Sequence, residues 1–212
     1  MMGTKQFDNY ADLITFTRAS SATYLDSDGV LKTASTNIPR IEYDADGNRL
    51  GLLVEEQRVN YARYSEDFTN PFWGKVGTGG SPAVIVTGNQ AIAPDGTLSA
   101  DKLIAGTGVG THYLQQSVTA YTDATLSVFA KAAEATKVRL ALFNSGVVAE
   151  FDLSAGTSSG SGTHSIIPVG NGWYRCIVSA VGASNTLIQI YTGDNSAGNG
   201  SDGVYIWGAQ VE

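Results

Sequence analysis

The sequence predicts an all-β protein, a two-sheet β-sandwich preceded by short β-hairpins, and three observations predict it. Apolar runs are short and alternate with polar residues, as in Leu126-Ser127-Val128-Phe129-Ala130 and Val138-Arg139-Leu140-Ala141-Leu142-Phe143. That is the period-two signature of strands with one buried face. Glycine is abundant at 25 residues and proline scarce at 5, so the breaks between runs read as turns joining many strands. No amphipathic helical segment separates the runs, which argues against a parallel α/β sheet.

The chain has 212 residues, 42% of them hydrophobic, enough to close a core. Its net charge of −7 argues against a sequence-independent grip on nucleic acid and against docking on anionic lipid. The single cysteine, Cys176, has no intramolecular disulfide partner. It lies in the alternating run Trp173-Tyr174-Arg175-Cys176-Ile177-Val178 and is expected to pack as a small apolar side chain. Met1 to Tyr10 has neither a basic start nor an apolar stretch, so no secretory signal is expected. No apolar run approaches the length that spans a bilayer.

The expected division is a hairpin region over residues 1–69 and a sandwich over residues 70–212. In the first part Ala22-Thr23-Tyr24-Leu25 leads through Asp26-Ser27-Asp28-Gly29 into Val30-Leu31-Lys32-Thr33, a hairpin with an Asp-Gly turn. The pattern returns at Arg40-Ile41-Glu42-Tyr43, Asp44-Ala45-Asp46-Gly47-Asn48 and Leu50 to Glu55. Glu55 to Phe68 has no clean period and is expected to be irregular or briefly helical. In the second part the predicted strands are 126–130, 138–143, 147–153, 165–169, 173–181, 187–191 and 204–207. The breakers are Ser145-Gly146, the low-complexity stretch Ala155 to Gly162, the Asn171-Gly172 turn and Gly193 to Gly203. Such spacing suggests a sandwich of about eight strands, jelly-roll-like in kind.

Motifs of catalysis and metal binding fit poorly. The loop from Asp44 places Glu55 at the twelfth position of an EF-hand frame, but its glycine comes early and Arg49 occupies the glycine slot. Strands flank the loop, so turn chemistry explains the acidic residues better. His112 and His164 lie far apart without ligands at metal spacing. No Gly-x-Ser-x-Gly elbow is present, and Gly106-Thr107-Gly108-Val109-Gly110 lacks the Lys-Ser/Thr ending of a phosphate loop, reading instead as a flexible connection. No enzyme activity and no cofactor are expected. Among the aromatics, Trp173 and Trp207 sit in apolar strands and are expected to anchor the core. Tyr113 and Tyr191 lie beside polar or glycine-rich segments and are the candidates for a surface groove that stacks on sugar rings.

The run Phe16-Thr17-Arg18-Ala19-Ser20-Ser21-Ala22-Thr23-Tyr24, then Asp28-Gly29-Val30 and Pro39-Arg40, resembles the start of the phage head-spike-fibre family. So do Gly51-Leu52-Leu53-Val54-Glu55-Glu56-Gln57-Arg58, Asn60, Tyr64-Ser65-Glu66-Asp67-Phe68 and Trp73. Further along, Ala93-Pro94-Asp95-Gly96-Thr97, Ala100-Asp101-Lys102-Leu103, Asn171-Gly172-Trp173-Tyr174-Arg175 and Tyr205 to Glu212 agree in order. Val59-Asn60-Tyr61-Ala62-Arg63 departs from the family's more usual Thr-Asn-Leu-Leu, and the chain stops at Glu212 where relatives commonly continue. The resemblance implies a structural virion protein, a head spike, head fibre or tail fibre, whose second half is similar to the jelly rolls of carbohydrate-binding modules. It implies attachment to capsid or tail, or between protomers as a homotrimer, through the hairpins, with Arg18, Arg40 and Arg58 as candidate partners in ion pairs. It implies a sandwich that contacts host-surface polysaccharide, the alternative being a purely architectural decoration or fibre-base component. Synthesis in the bacterial cytoplasm and residence in the virion complete the expectation.

Overall fold

A computed structural model describes residues 16–44, 46–55, 59–182, 185–193 and 197–212. The chain divides by its contacts into two compact units, residues 1–55 and 56–212.

The first unit contains two hairpins. Strands β1 (Ala22–Leu25) and β2 (Leu31–Ala34) pair antiparallel, as do β3 (Ile41–Tyr43) and β4 (Arg49–Leu52). Their loops close in the same way. Asp26 Oδ1 accepts the amides of Asp28 and Val30 at 3.0 and 2.9 Å, and Asp44 Oδ1 accepts those of Asp46 and Asn48 at 3.0 and 2.8 Å. Gly29 and Gly47 follow at φ 70° and 79°, a left-handed backbone that glycine adopts without a Cβ penalty. Hydrogen bonds from Asn48 hold the Asp44 carboxyl below its ordinary range.

The second unit is the sandwich. One six-stranded sheet runs β14 (Thr163–Pro168), β15 (Trp173–Ala180), β10 (Ala124–Ala132), β18 (Gly203–Val211), β7 (Leu98–Ile104), β6 (Ile85–Ile92). The other runs β13 (Thr157–Gly160), β12 (Val147–Asp152), β11 (Lys137–Leu142), β16 (Asn185–Tyr191), β9 (His112–Tyr121), β5 (Gly74–Gly77). A small pair, β8 (Gly108–Val109) with β17 (Ala197–Gly198), completes the series. The predicted all-β, jelly-roll-like sandwich is present, with twelve strands in its two sheets against the eight expected.

Of the strands not predicted, β6, β9 and β13 fall where the composition is polar. β6 (IVTGNQAI) and β9 (HYLQQSVTAY) carry few large apolar residues, and β13 lies inside the low-complexity stretch. The glycine-rich segment around Gly108, expected to be a loose connection, pairs in register with Ala197 and Gly198. Between the sheets, Leu126, Val128, Cys176, Val178 and Ile206 meet Leu114, Val138, Leu140, Phe151, Ile188 and Ile190, all fully buried. Burial pushes the Cys176 thiol far up, consistent with an apolar packing role. Trp173 and Trp207 are buried too, but not in this core. Alternation with Tyr174 and Cys176 turns Trp173 to the other face of its sheet, where its indole N–H donates to the Ile92 carbonyl at 3.0 Å. Trp207 packs there against Phe129, ring centres 5.6 Å apart. Trp73 does enter the core, beside Phe68 at 5.1 Å.

The segment 59–68, expected to be irregular or helical, is irregular because its polar groups bond to both sheets. Asn60 accepts the Val211 amide at 3.0 Å and donates to the Ala209 carbonyl at 2.9 Å, and Tyr61 N–H donates to the Val211 carbonyl at 2.9 Å. These bonds tie the segment to β18. On β9 the side chain of Gln116, only 1% exposed, accepts the Arg63 amide at 2.7 Å and donates to the Arg63 carbonyl at 3.0 Å. The amide side chain thus imitates a neighbouring strand. The buried carboxylate of Asp101 accepts the Phe68 and Asn89 amides at 2.8 and 3.0 Å.

Gln116→Ala leaves both Arg63 backbone groups without their partner and is expected to cost about 2 kcal/mol in urea unfolding. An unchanged midpoint would remove the bridging role. His112, 3% exposed, has no partner for Nε2 among the described residues, and burial lowers its imidazole pKa. Below about pH 6.5 the unfolded chain binds the proton first, so stability falls with falling pH through that window. Thermal melts of His112→Gln should show a shallower acid decline than those of the parent.

Candidate functional site

Strand alternation decides which side chains face outward on the second sheet. Leu114, Val138, Leu140, Ile188 and Ile190 point into the core. Tyr113 and Gln115 on β9, Gln189 and Tyr191 on β16, and Arg139 and Ala141 on β11 therefore share the opposite face. The register then sets them in rows. Arg139 opposes Tyr191, which opposes Tyr113, and Ala141 opposes Gln189, which opposes Gln115. On β5, Gly74 stands opposite Gln115 and Val76 opposite Tyr113.

The two tyrosines predicted from sequence thus meet, with ring centres 4.7 Å apart and planes tilted by 37°. The Arg139 guanidinium lies over the Tyr191 ring at 5.0 Å, a cation–π contact that fixes both groups. The Tyr191 hydroxyl donates to Gln189 Oε1 at 2.5 Å, and Gln189 Nε2 donates to Gln115 Oε1 at 3.5 Å. Burial raises the Tyr191 phenol above its ordinary value, the Tyr113 phenol adds to this and Arg139 opposes it. Near neutral pH Tyr191 is therefore a neutral phenol. Lys137 and Glu150, beside Arg139 in the ladder, pair with each other at 2.8 Å.

Chemically this is an aromatic pair flanked by the Gln115 carboxamide and a guanidinium, while Gln189, only 2% exposed, holds the Tyr191 hydroxyl from beneath and is not open to a ligand. Sugar rings present C–H faces that stack on aromatic rings and hydroxyls that bond to amides, so the arrangement suits a saccharide. Tyr113 and Tyr191 were legible from their polar surroundings. Gln115, Gln189 and Arg139 were not, because only the β9–β16–β11 register brings them to those rings.

The attachment candidates are placed differently. Arg18 donates within its own unit, to the carbonyls of Ser20, Ala34 and Ser35 at 2.7, 3.1 and 2.6 Å. Arg40, buried, donates to the Thr23 carbonyl at 2.7 Å and pairs with Glu55 at 2.8 Å, linking the two hairpins. Both guanidinium groups brace the hairpins from within. Arg58 lies outside the described residues.

No protein family and no curated protein matches the chain by sequence. Solved structures are similar to it, among them two. The enzymatically active domain of Bacteriophage CBA120 tailspike protein 4 is 19% identical, with a TM-score of 0.43 over 72% of this chain and 21% of that one. This chain therefore corresponds to about a fifth of that tailspike chain. The carbohydrate-binding module TmCBM61, solved with beta-1,4-galactotriose, is 12% identical, with a TM-score of 0.41 over 73% of this chain and 99% of that one.

Proposed function

We propose that the protein is a non-enzymatic structural component of a bacteriophage particle, a head or tail spike, fibre or fibre base, whose sandwich binds host-surface polysaccharide. The observation that supports the binding reading is the tilted Tyr113–Tyr191 pair on an outward sheet face, with Gln115 and Arg139 beside it. Support for the virion reading comes from the ordered likeness of the chain's segments to phage head-spike-fibre proteins. In this reading the hairpins of residues 16–55 attach the protein to capsid or tail, or knit a homotrimer, and the sandwich faces the host. Repetition on a particle lets weak sites add up through avidity.

A purely architectural role is the second reading, and a separate observation favours it. Ile92 and Leu98, paired at the end of the β6–β7 hairpin, are 55% and 60% exposed, an apolar spot that a neighbouring chain would cover.

Affinity electrophoresis of the purified protein through gels containing host-surface polysaccharide tests the binding reading. Retardation is expected, and Tyr113→Ala or Tyr191→Ala should weaken it about tenfold, equivalent to about 1.4 kcal/mol. Retardation that survives both substitutions would put the site elsewhere, and shortening of the polysaccharide would make the protein an enzyme. The virion reading is tested by deleting residues 1–55, which should leave a folded sandwich absent from purified particles when these are searched by peptide mass spectrometry. Incorporation of the truncated chain would overturn the anchoring role.

A further inference from the structure

The outward face carrying Tyr113 and Gln115 does not end at those residues. The same alternation places Ser117 and Thr119 on it, further along β9 and past the last residue that β5 pairs. There a recess of about 260 Å³ opens, lined by Ser117 and Thr119 together with Asn60, Arg63 and Phe72 from the segment preceding β5. Its chemistry repeats that of the tyrosine station. Phe72 is 44% exposed, Tyr64 packs against it with ring centres 5.8 Å apart, and the Arg63 guanidinium lies over its ring at 5.1 Å. The Arg63 main chain is held on both sides by Gln116, so this second station is braced by the buried core.

The face therefore has two stations, each an exposed or half-buried aromatic ring under a guanidinium. Four residue steps along β9, about 13 Å at the rise of an extended strand, separate Tyr113 from Ser117. Among the described residues neither Arg63 nor Arg139 lies within ion-pair distance of a carboxylate. Glu150 is engaged by Lys137, and the Asp152 carboxylate accepts the amides of Ser154 and Ala155 at 2.9 and 3.0 Å within its own turn. A protein of net charge −7 thus presents, on one face, two guanidinium groups oriented by aromatic rings and available to an anion. A guanidinium fork matches a carboxylate in geometry, and the Tyr113 ring and the exposed part of Phe72 offer apolar surface beside it for a sugar.

We infer that the Arg63–Phe72 recess and the Tyr113–Tyr191–Arg139 cluster are two subsites of one groove for an extended acidic polysaccharide, each guanidinium receiving a sugar carboxylate. This rests on the polysaccharide-binding reading above and adds the class of chain bound.

The test compares polygalacturonate, dextran sulfate and neutral galactan as ligands of the full chain, by affinity electrophoresis and titration calorimetry. Polygalacturonate should bind best, and a roughly tenfold rise in salt should weaken it. Arg63→Ala and Arg139→Ala should each reduce its affinity about tenfold, and together more than either alone. Arg63→Lys, which keeps the charge but loses the planar fork, should recover only part of the loss. Circular dichroism and unfolding midpoints like the parent's keep these comparisons valid; among the described residues each guanidinium loses only its ring contact. Equal affinity for neutral galactan, with no effect of either arginine, would overturn the acidic-chain inference and leave the polysaccharide reading standing. Dextran sulfate bound as tightly as polygalacturonate would overturn carboxylate recognition. Binding of none of the three would overturn this inference, while the reading above would still be decided by host-surface polysaccharide.

Discussion

Once Leu114, Val138, Leu140, Ile188 and Ile190 are committed to the space between the sheets, a β-strand leaves their neighbours no choice of side. A register slip of one residue on β9 or β16 would bury Tyr113 or Tyr191 and carry leucine and isoleucine to water. The apolar contact between two sheets thus holds the sandwich together and, by the same alternation, places Tyr113, Gln115, Arg139 and Tyr191 on the outer face. With its single cysteine buried in that contact, the chain has no disulfide to share the task.

A second constraint is the satisfaction of polar groups where the strands run out. The irregular segment before β5 has no continuous strand partner, so side-chain amides take over the pairing. Asn60 serves the first sheet and Gln116 the second. The recess at Arg63 and Phe72 exists because this segment is fastened beside β9 where β5 has ended. Arg40 plays the comparable part in the hairpin unit, where one buried guanidinium joins a carbonyl of β1 to Glu55. These are groups whose conservative replacement would change geometry more than charge.

Legibility followed the apolar content of each strand. The runs 126–130, 138–143 and 173–181 were readable because valine, leucine and isoleucine alternate with polar residues. β6, β9 and β13 were not, since a strand rich in threonine, glutamine, serine or glycine pairs through its backbone and announces little in its side chains. The same limit applied to Trp173 and Trp207. Apolar character made them buried residues, yet which face buried them depended on the alternation with Cys176 and Ile206.

By itself the sequence determined the all-β class, the two Asp-Gly hairpins, most central strands and the candidacy of Tyr113 and Tyr191. These follow from local chemistry: period-two alternation, turn residues and an aromatic among polar neighbours. Only the tertiary structure decided that the two tyrosine rings meet, that Arg139 caps one of them, and that Gln115 and the buried Gln189 lie alongside. It also decided that Arg18 and Arg40 turn inward. Each of these rests on pairing between residues distant in the chain, such as Tyr113 with Tyr191, and an antiparallel register over that separation is set by the whole sheet rather than by either strand.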